Sequence, residues 1–317
     1  MGTALAPSTW TRHTFATMGT TVVVELPGTP TAPEQFGAVE ELFDRVQRSC
    51  TRFDNGSDLM RANSSPEESH EVSPECAAIV AEAHAAYRAT EGRFDPRILP
   101  SLVAVGYDRT FDAVKGGVAT GPVTSPAPRR SEWCPDVGAR HVTLGQDPID
   151  LGGIGKGWTV DQASRLLATQ PSAWLVNAGG DLAVRGDGPD ADGWTVGIED
   201  PRDRTLTLAV LRLRDIGCAT SSTGRRTWLQ EGERRHHLID PRTGMPTTSG
   251  LQSVTVVADS TMTAEVWSKA LLIAGVYEVM DLCEEMGLAA YWVTDDGYTG
   301  SSMAMRPYLA WERGHDV

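Results

Sequence analysis

The sequence predicts an α+β fold, with a mainly antiparallel sheet as its core and helices flanking that sheet. Short segments with strand-like apolar patterns recur from residue 174 to residue 294, separated by turns rich in Gly, Asp and Pro. Apolar residues at helical spacing, bounded by capping residues, occur in both halves of the chain. No internal repeat is present, which excludes a repeat architecture and favours the mixed class.

In the first half, the apolar run TTVVVEL at 20–26 predicts a strand, and a helical pattern follows near Pro33–Arg48. A second helix is expected to begin after Ser73 as its N-cap and to end at Gly92 as its C-cap. Residues 113–135 are rich in Gly and Pro, and they predict an exposed loop between two halves of the protein.

In the second half, five short segments are predicted as strands: WLVN, LAVRG, WTVGIE, LTLAVLRL and SVTVVA. A helix at 263–275 interrupts them, and a further helical pattern covers 276–286. The segment AAYWVT and the following DDG turn predict a closing hairpin.

Composition limits the function classes. The 317 residues carry a formal net charge of −14, which argues against nucleic acid and against anionic membrane surfaces as partners. No apolar run approaches the roughly 18 residues of a membrane-spanning helix. Five widely spaced cysteines without a C-x-x-C motif favour free thiols, and no signal-peptide pattern is seen, so a cytoplasmic location is expected.

The stretch DLGGIGKGWTVD at 150–161 places four glycines around Lys156. It matches neither the Walker A loop nor the dinucleotide-binding fingerprint. The apolar run Ile149–Leu151 predicts a strand that turns through the glycines into a helix. Such a turn would offer free N–H groups and a lysine to an anion. The alternative is a tight turn in which the glycines only supply positive φ and Lys156 is solvated.

Three further segments carry polar groups in suggestive order. Asn177–Asp181 (NAGGD) predicts a hairpin turn between two strands. The segment 219–228 (ATSSTGRRTW) is rich in hydroxyls and ends near two arginines, Arg225 and Arg226, which are candidate phosphate contacts or structural residues. In HHLIDPRTG, His237 and Asp240 are either a catalytic pair or part of a turn, because Asp-Pro-x-x-Gly is favourable turn chemistry.

In order along the chain, these motifs resemble the ApbE family, the FAD:protein FMN transferases, from roughly His13 to Met305. The segments that carry the resemblance are Met18-Gly19-Thr20, EGRFDPRILP, DLGGIGKGWTVD, NAGGD, ATSSTGRRTW, HHLIDPRTG and TAEVWSKA. The resemblance implies one domain over residues 13–306, with tails at 1–12 and 307–317. It further implies two lobes with FAD bound between them and a divalent metal, usually Mg²⁺, at the pyrophosphate.

The implied reaction cleaves FAD at its pyrophosphate, releases AMP, and attaches FMN by a phosphodiester to a Thr or Ser of an acceptor flavoprotein. Position by position, the resemblance assigns flavin-binding roles to Met18, Phe94, Asp95, Asp150, Gly153, Lys156, Asp161, His237, Ile239 and Lys269. It assigns catalytic roles to Glu265, Lys156 and His237, and metal ligation to Gly153, Glu265 and Ser268. Asp240 and Thr243 are expected to brace their loop.

The sequence departs from the family at the second half of the metal site. The usual pattern A-D-A-L-S-T is replaced by Ala264–Lys269, so Lys269 stands where a threonine hydroxyl would bind metal. An ammonium has no acceptor and repels a cation. One interpretation is a solvated i,i+4 pair of Glu265 and Lys269, worth about 0.3–0.5 kcal/mol. The other is that Lys269 occupies the space of the metal.

Three function hypotheses follow from these motifs. The first is a cytoplasmic FAD:protein FMN transferase with an altered metal site. The second is a protein that binds FAD but has another flavin-dependent role in a specialised pathway. The third is a binding protein of the same fold that has lost the flavin.

Overall fold

A computed structural model describes residues 10–115, 132–168, 173–189 and 191–313, and these residues form a mixed α+β fold. Eight α-helices lie within these ranges. They are α1 (Ala32–Cys50), α2 (Asp58–Ser64), α3 (Pro74–Ala89), α4 (Leu99–Ala104), α5 (Phe111–Lys115), α6 (Gly155–Leu167), α7 (Thr261–Ala274) and α8 (Val279–Met286). Two short 3-10 helices cover Pro96–Ile98 and Met303–Tyr308.

The same residues contain eighteen strands, and every strand pair among them is antiparallel. The strands are β1 (Trp10–Thr17), β2 (Thr20–Pro27), β3 (His70–Glu71), β4 (Asp136–Val137), β5 (His141–Thr143), β6 (Trp174–Ala178), β7 (Asp181–Arg185), β8 (Trp194–Glu199), β9 (Thr207–Leu213), β10 (Ile216–Ser222), β11 (Thr227–Gln230), β12 (Glu233–His236), β13 (Ile239–Asp240), β14 (Met245–Pro246), β15 (Leu251–Ala258), β16 (Ala289–Thr294), β17 (Thr299–Ser301) and β18 (Leu309–Glu312). The predicted fold class is therefore confirmed.

An eight-stranded sheet forms the centre of the fold, in the order β1-β2-β6-β7-β10-β15-β16-β17. Strands β8, β9 and β18 make a separate three-stranded sheet, and β3, β5 and β4 make another. Helix α6 packs on β6 and β7, and α7 packs on β10 and β15. Both helices therefore lie against the middle of the central sheet, where they bury apolar side chains from their sheet-facing sides.

Local signals explain the helix ends in the first half. Ser73 caps α3 as predicted, since its hydroxyl accepts a hydrogen bond from the Cys76 amide at 3.3 Å. The predicted C-cap at Gly92 lies beyond the true end of the helix. Glu91 instead takes the left-handed conformation at φ 52°, and the Gly92 amide donates to the Tyr87 carbonyl at 2.8 Å. This is the Schellman arrangement, with a glutamate where glycine is usual.

The predicted strand at Ile149–Leu151 is wrong, because the backbone there pairs with a side chain and a loop. The Asn63 side-chain amide accepts from the Ile149 N–H at 2.8 Å and donates to the Ile149 carbonyl at 2.9 Å. The Asp150 amide donates to the Pro96 carbonyl at 2.7 Å. An apolar run was thus buried without joining a sheet. The helix that was predicted after the glycines is α6.

The predicted loop at 113–135 lies mostly outside the described residues, which resume at residue 132. The described residues at its two edges are not an exposed loop, because one edge is helical and the other contains a buried tryptophan. Helix α5 extends to Lys115, and Trp133 is buried with its indole N–H donating to the Leu144 carbonyl at 2.8 Å. At the chain ends, β1 begins at Trp10 and β18 ends at Glu312, so strands lie within both expected tails.

Helices α6 and α7 approach each other so closely that only glycine fits at their contact. A Cβ added to Gly157 would lie 2.7 Å from the Met262 Cα and 2.9 Å from the Thr261 carbonyl oxygen. These neighbours are backbone atoms and cannot move aside as a flexible side chain would. A Cβ on Gly155, two residues earlier on α6, would meet no atom within 4 Å.

We expect Gly157→Ala to lower the free energy of unfolding by about 1–3 kcal/mol, because it forces the two helices apart. Gly155→Ala is the matched control, and its higher helix propensity should leave stability equal or raised by up to about 1 kcal/mol. Urea unfolding followed by circular dichroism measures both. Equal effects of the two substitutions would contradict the close packing.

Candidate functional site

The first turns of α6 and α7 are joined by two carboxylates, each from the other helix. Asp161 of α6 accepts from the Thr261 amide at 2.8 Å and from the Met262 amide at 2.9 Å, at the start of α7. Glu265 of α7 accepts from the Gly157 amide at 2.7 Å, in the first turn of α6. An anion at a helix N-terminus satisfies free N–H groups and complements the helix dipole. The anion that the glycine turn receives in this structure is thus a carboxylate of the same chain.

Glu265 is also the centre of a buried group of charges, which we call the charged cluster: Lys156, Asp181, Glu265 and Lys269. The Lys156 ammonium donates to Glu265 Oε1 at 2.7 Å and to Asp181 Oδ2. The Lys269 ammonium donates to the same Oε1 at 3.1 Å and to the Glu265 carbonyl at 3.3 Å. The cluster holds two cations and two anions, so its formal charge is zero.

Burial and pairing set the protonation of the cluster. Burial opposes the charged form of Glu265, whose side chain is 0% exposed, yet the ammonium groups of Lys156 and Lys269 outweigh it and lower the pKa to about 2. Burial also opposes the charged form of Lys156, but Asp181 and Glu265 raise its pKa above the usual value. For Lys269, burial prevails over its carboxylate partner and the pKa falls. Each ammonium pairs with a buried carboxylate, so neither is the freely solvated lysine of the two alternative interpretations.

Ser268 lies behind the charged cluster and is fully buried. Its hydroxyl donates to the Glu265 carbonyl at 3.0 Å and lies 2.7 Å from the Ser221 hydroxyl. Both contacts hold α7 against its own turn and against β10. The expected ligand position is therefore occupied by hydrogen bonds within the protein.

A cavity of about 450 Å³ opens in front of the charged cluster. This volume lies in the usual range for small-molecule sites. Nine of the ten residues with an expected flavin role line it: Met18, Phe94, Asp95, Asp150, Gly153, Lys156, His237, Ile239 and Lys269. Asp161 does not line the cavity, because its carboxylate is used at the start of α7.

Two carboxylates in the cavity wall shape loops. Asp95 forms a paired contact with Arg97, with Nε to Oδ1 at 3.0 Å and Nη2 to Oδ2 at 2.8 Å. Asp150 accepts from the Gly152 amide at 2.9 Å and pairs with Arg52 Nε at 3.0 Å. Asp95 and Asp150 therefore each hold the loop in which they lie, and residues of both loops line the cavity.

Arg52 is a wall residue that the sequence did not single out. Its guanidinium lies 4.2 Å from the ring centre of Phe53 and 4.3 Å from that of Tyr107. It also donates to the Tyr107 carbonyl at 2.6 Å. Arg52 thereby holds the Asp150 turn against an aromatic wall. Two of its partners, Tyr107 and Asp150, are distant in sequence (107 − 52 = 55 and 150 − 52 = 98 residues). No local motif could therefore have revealed Arg52.

His237 lines the cavity and its Nδ1 is buried without a hydrogen-bond partner in the described part of the chain. Burial lowers the pKa of His237 well below its usual value, and the nearby cations Arg226 and Lys269 lower it further. Asp240 makes no pair with it, because both Asp240 oxygens accept from Arg242, at 3.0 and 2.9 Å. The turn interpretation of Asp240 is the one that the structure supports.

The expected metal ligands do not fit a divalent cation. Both Glu265 oxygens already accept hydrogen bonds from the Gly157 amide and the two ammonium groups. The Lys269 side chain runs beside Gly153, with its Cδ and Cε 3.5 Å from the place of a Cβ there. Mg²⁺ binds oxygens at about 2.0–2.1 Å, which would put it against the Lys269 ammonium. These residues therefore do not form a divalent-metal site.

A ligand-sized cavity beside a glycine turn, with lysines and a neutral histidine in its wall, is typical of proteins that bind an anionic small molecule. The model of the ApbE family matches residues 18–292. The chain belongs to the ApbE family. Among the described residues, no helix is long and apolar enough to cross a membrane.

This chain is also similar to individual relatives and to solved structures of the ApbE family. The chain is 29% identical to an FAD:protein FMN transferase of Haemophilus influenzae, over 92% of this chain and 89% of that protein. Its fold is similar to the ApbE protein of Thermotoga maritima, with a TM-score of 0.81, 26% identity, and coverage of 96% and 100% of the two chains. It is also similar to the flavin transferase ApbE of Vibrio cholerae, with a TM-score of 0.79, 25% identity, and coverage of 96% and 100%.

We expect the His237 imidazole to stay neutral at pH 6.5, where an unperturbed histidine is about half protonated. In the unfolded chain His237 takes up a proton below that pH, so its contribution to stability decreases as the pH falls below 6.5. NMR chemical shifts of the imidazole carbon and nitrogen, assigned with a His237→Gln variant, measure the titration. A midpoint at or above pH 6.5 would contradict the burial argument.

We expect Asp161→Ala to lower the free energy of unfolding by about 2–3 kcal/mol, because two part-buried amides at the start of α7 lose their acceptor. Asp281→Ala is the matched control, since Asp281 also stands in the first turn of a helix but is exposed. Chemical denaturation measures both variants. A loss as small as that of the control would mean that the carboxylate does not cap α7.

Proposed function

We propose that this chain is an FAD:protein FMN transferase, which moves FMN from FAD to a Thr or Ser hydroxyl of an acceptor flavoprotein and releases AMP. The observation that carries the proposal is the cavity of this ApbE-family chain, whose wall contains nine of the ten residues expected to contact the flavin nucleotide. The names of the relatives support transfer over the two other hypotheses.

In the proposed reaction, the acceptor hydroxyl oxygen attacks the phosphorus on the FMN side of the pyrophosphate. A new P–O bond forms, the bond from that phosphorus to the bridging oxygen breaks, and AMP leaves with the bridging oxygen. The hydroxyl proton passes to the neutral imidazole of His237, which lines the cavity. Phosphoryl transfer depends mainly on positioning and on neutralising charge. The cations of the cavity wall supply both for the phosphate groups.

The roles of the wall residues follow from their contacts. Lys156 and Lys269 contact the phosphates, and Gly153 lets the backbone approach them without a side chain in the way. Met18, Phe94 and Ile239 supply apolar surface to the flavin. Asp161 and Glu265 act as positioning residues, since they hold the two helices rather than line the cavity.

We also propose that residues 13–306 work as one domain with two lobes. Support comes from the cavity wall, to which residues on both sides of the segment 116–131 contribute. A reducing compartment such as the cytoplasm is proposed as the place of action, because all five cysteines are free thiols and three are buried.

We expect purified protein with FAD and a threonine-containing acceptor flavoprotein to release AMP and to add one FMN to the acceptor. Mass spectrometry of the acceptor and chromatography of AMP measure the two products in equal amounts. An acceptor with Thr→Ala at the target site is the negative control. Flavin that binds without AMP release would instead support another flavin-dependent role.

We expect His237→Gln to reduce the rate of transfer by roughly 10²-fold or more, because the proton acceptor is lost. His236→Gln is the matched control. The neighbouring His236 bonds to the Thr247 carbonyl at 3.1 Å and does not line the cavity. Equal rates for the two variants under saturating FAD would remove His237 from the chemistry.

A further inference from the structure

We infer that the charged cluster takes the place of the divalent cation in this chain, so that the ammonium groups of Lys156 and Lys269 bind the FAD pyrophosphate without metal. The inference rests on the proposed function, because the pyrophosphate is the group that is held and cleaved. It concerns how this chain neutralises that group.

The position of Lys269 is the first observation. Its side chain fills the space between the Gly153 backbone and the Glu265 carboxylate, and its ammonium lies 3.1 Å from Glu265 Oε1. These two residues and Ser268 are the expected metal ligands. A positive charge is therefore already present at the place where the family pattern would put a cation.

The remaining hydrogen-bond capacity of the two lysines is the second observation. An ammonium carries three donors. Lys156 donates to Asp181 and Glu265, and Lys269 donates twice to Glu265, so each lysine keeps one donor. Both side chains line the cavity and are partly exposed to it, at 18% and 14%. The cluster can thus offer one N–H to each of two phosphate groups.

The balance of charge is the third observation. With the cluster neutral, attraction of a pyrophosphate requires a further cation in the wall. Arg226 lines the cavity, and its acceptors are the Tyr107 hydroxyl at 3.4 Å and the Gly19 carbonyl at 3.3 Å, both neutral. No carboxylate of the described residues pairs with it, so its full charge is available. Arg226, Lys269, Lys156 and His237 all line this cavity, so the three cations share one wall with the imidazole.

An ammonium and a divalent ion neutralise phosphate differently. A divalent ion bridges two oxygens and must be captured from solution, whereas an ammonium is a monovalent charge carried by the chain. The two carboxylates fix the direction of both ammonium groups before FAD arrives. A preorganised cation pair of this kind can stabilise charge in the transition state without a metal equilibrium.

The test compares FAD affinity of the parent protein in EDTA and in excess Mg²⁺, by quenching of flavin fluorescence and by calorimetry. We expect dissociation constants that agree within about threefold. Electron paramagnetic resonance with Mn²⁺, with and without FAD, should detect no ion bound at the site. AMP release with an acceptor should continue in EDTA.

The double variant Glu265→Asp and Lys269→Thr restores the family pattern and supplies the opposite case. We expect its FAD affinity to rise at least about tenfold when Mg²⁺ is added, and Mn²⁺ to bind. Arg165→Met is the matched control for loss of a positive charge. Arg165 is exposed on α6 and bonds to Gln162 at 3.2 Å, so its variant should behave as the parent does.

Tenfold tighter FAD binding by the parent in Mg²⁺, or a bound Mn²⁺ in the parent, would overturn the inference and leave the proposed function standing. Absence of FAD binding under both conditions would overturn the proposed function as well. If the double variant does not fold, as judged by circular dichroism, the EDTA and Mn²⁺ measurements on the parent still decide between these results.

Discussion

The rest of the site depends on one buried carboxylate, that of Glu265. It accepts hydrogen bonds from the first turn of α6, from Lys156 and from Lys269, at 2.7, 2.7 and 3.1 Å. Removing a partner from a buried, fully paired charge costs about 3–5 kcal/mol, because an uncompensated charge remains. The same carboxylate therefore fixes two helices and the direction of two ammonium groups. A substitution of Glu265 would therefore change both the stability of the protein and the charge beside the cavity.

The two helices are joined reciprocally, which makes the arrangement rigid. Asp161 of α6 caps α7, and Glu265 of α7 completes the first turn of α6. This exchange needs backbones in direct contact, and Gly157 permits it because a Cβ would strike Met262. The glycines of the DLGGIGKG stretch thus serve two purposes. Gly153 leaves room on the cavity side, and Gly157 leaves room for the neighbouring helix.

The sequence predicted the fold class and most elements, because their patterns are local. Strand β2, helices α1, α3, α6 and α7, and the β6–β7 hairpin all carry apolar periodicity or turn residues of their own. In the hairpin, Gly179 and Gly180 take positive φ as a two-residue turn requires. The strand predicted at Ile149–Leu151 failed, since an apolar run shows burial but not which group accepts its backbone hydrogen bonds.

The site was less accessible to the same reasoning. Arg52 and Asp181 reach it through contacts across the fold, and each follows a segment that looks like an ordinary turn or helix end. The available signal for Asp181 was its place at the end of the NAGGD motif, where it begins the largely buried strand β7. For Asp161, position in a motif suggested contact with a ligand, while its hydrogen bonds are to the start of α7.

The negative charge of the two nearby carboxylates explains why an amine, and not a hydroxyl, is found at Lys269. Burial favours neutral groups, and it raises the pKa of Asp181 even beside Lys156. Two buried carboxylates near one lysine would leave a net negative charge facing an anionic substrate. A second cation must balance them, and either a captured ion or a built-in ammonium can do so. The lysine provides that balance in the apo protein, so the cluster is neutral before any ligand arrives. Further cations of the cavity wall then attract the substrate, among them Arg226, whose neutral partners do not reduce its charge. A neutral cluster can orient phosphate oxygens, whereas wall cations outside the cluster draw the anionic substrate in from solution.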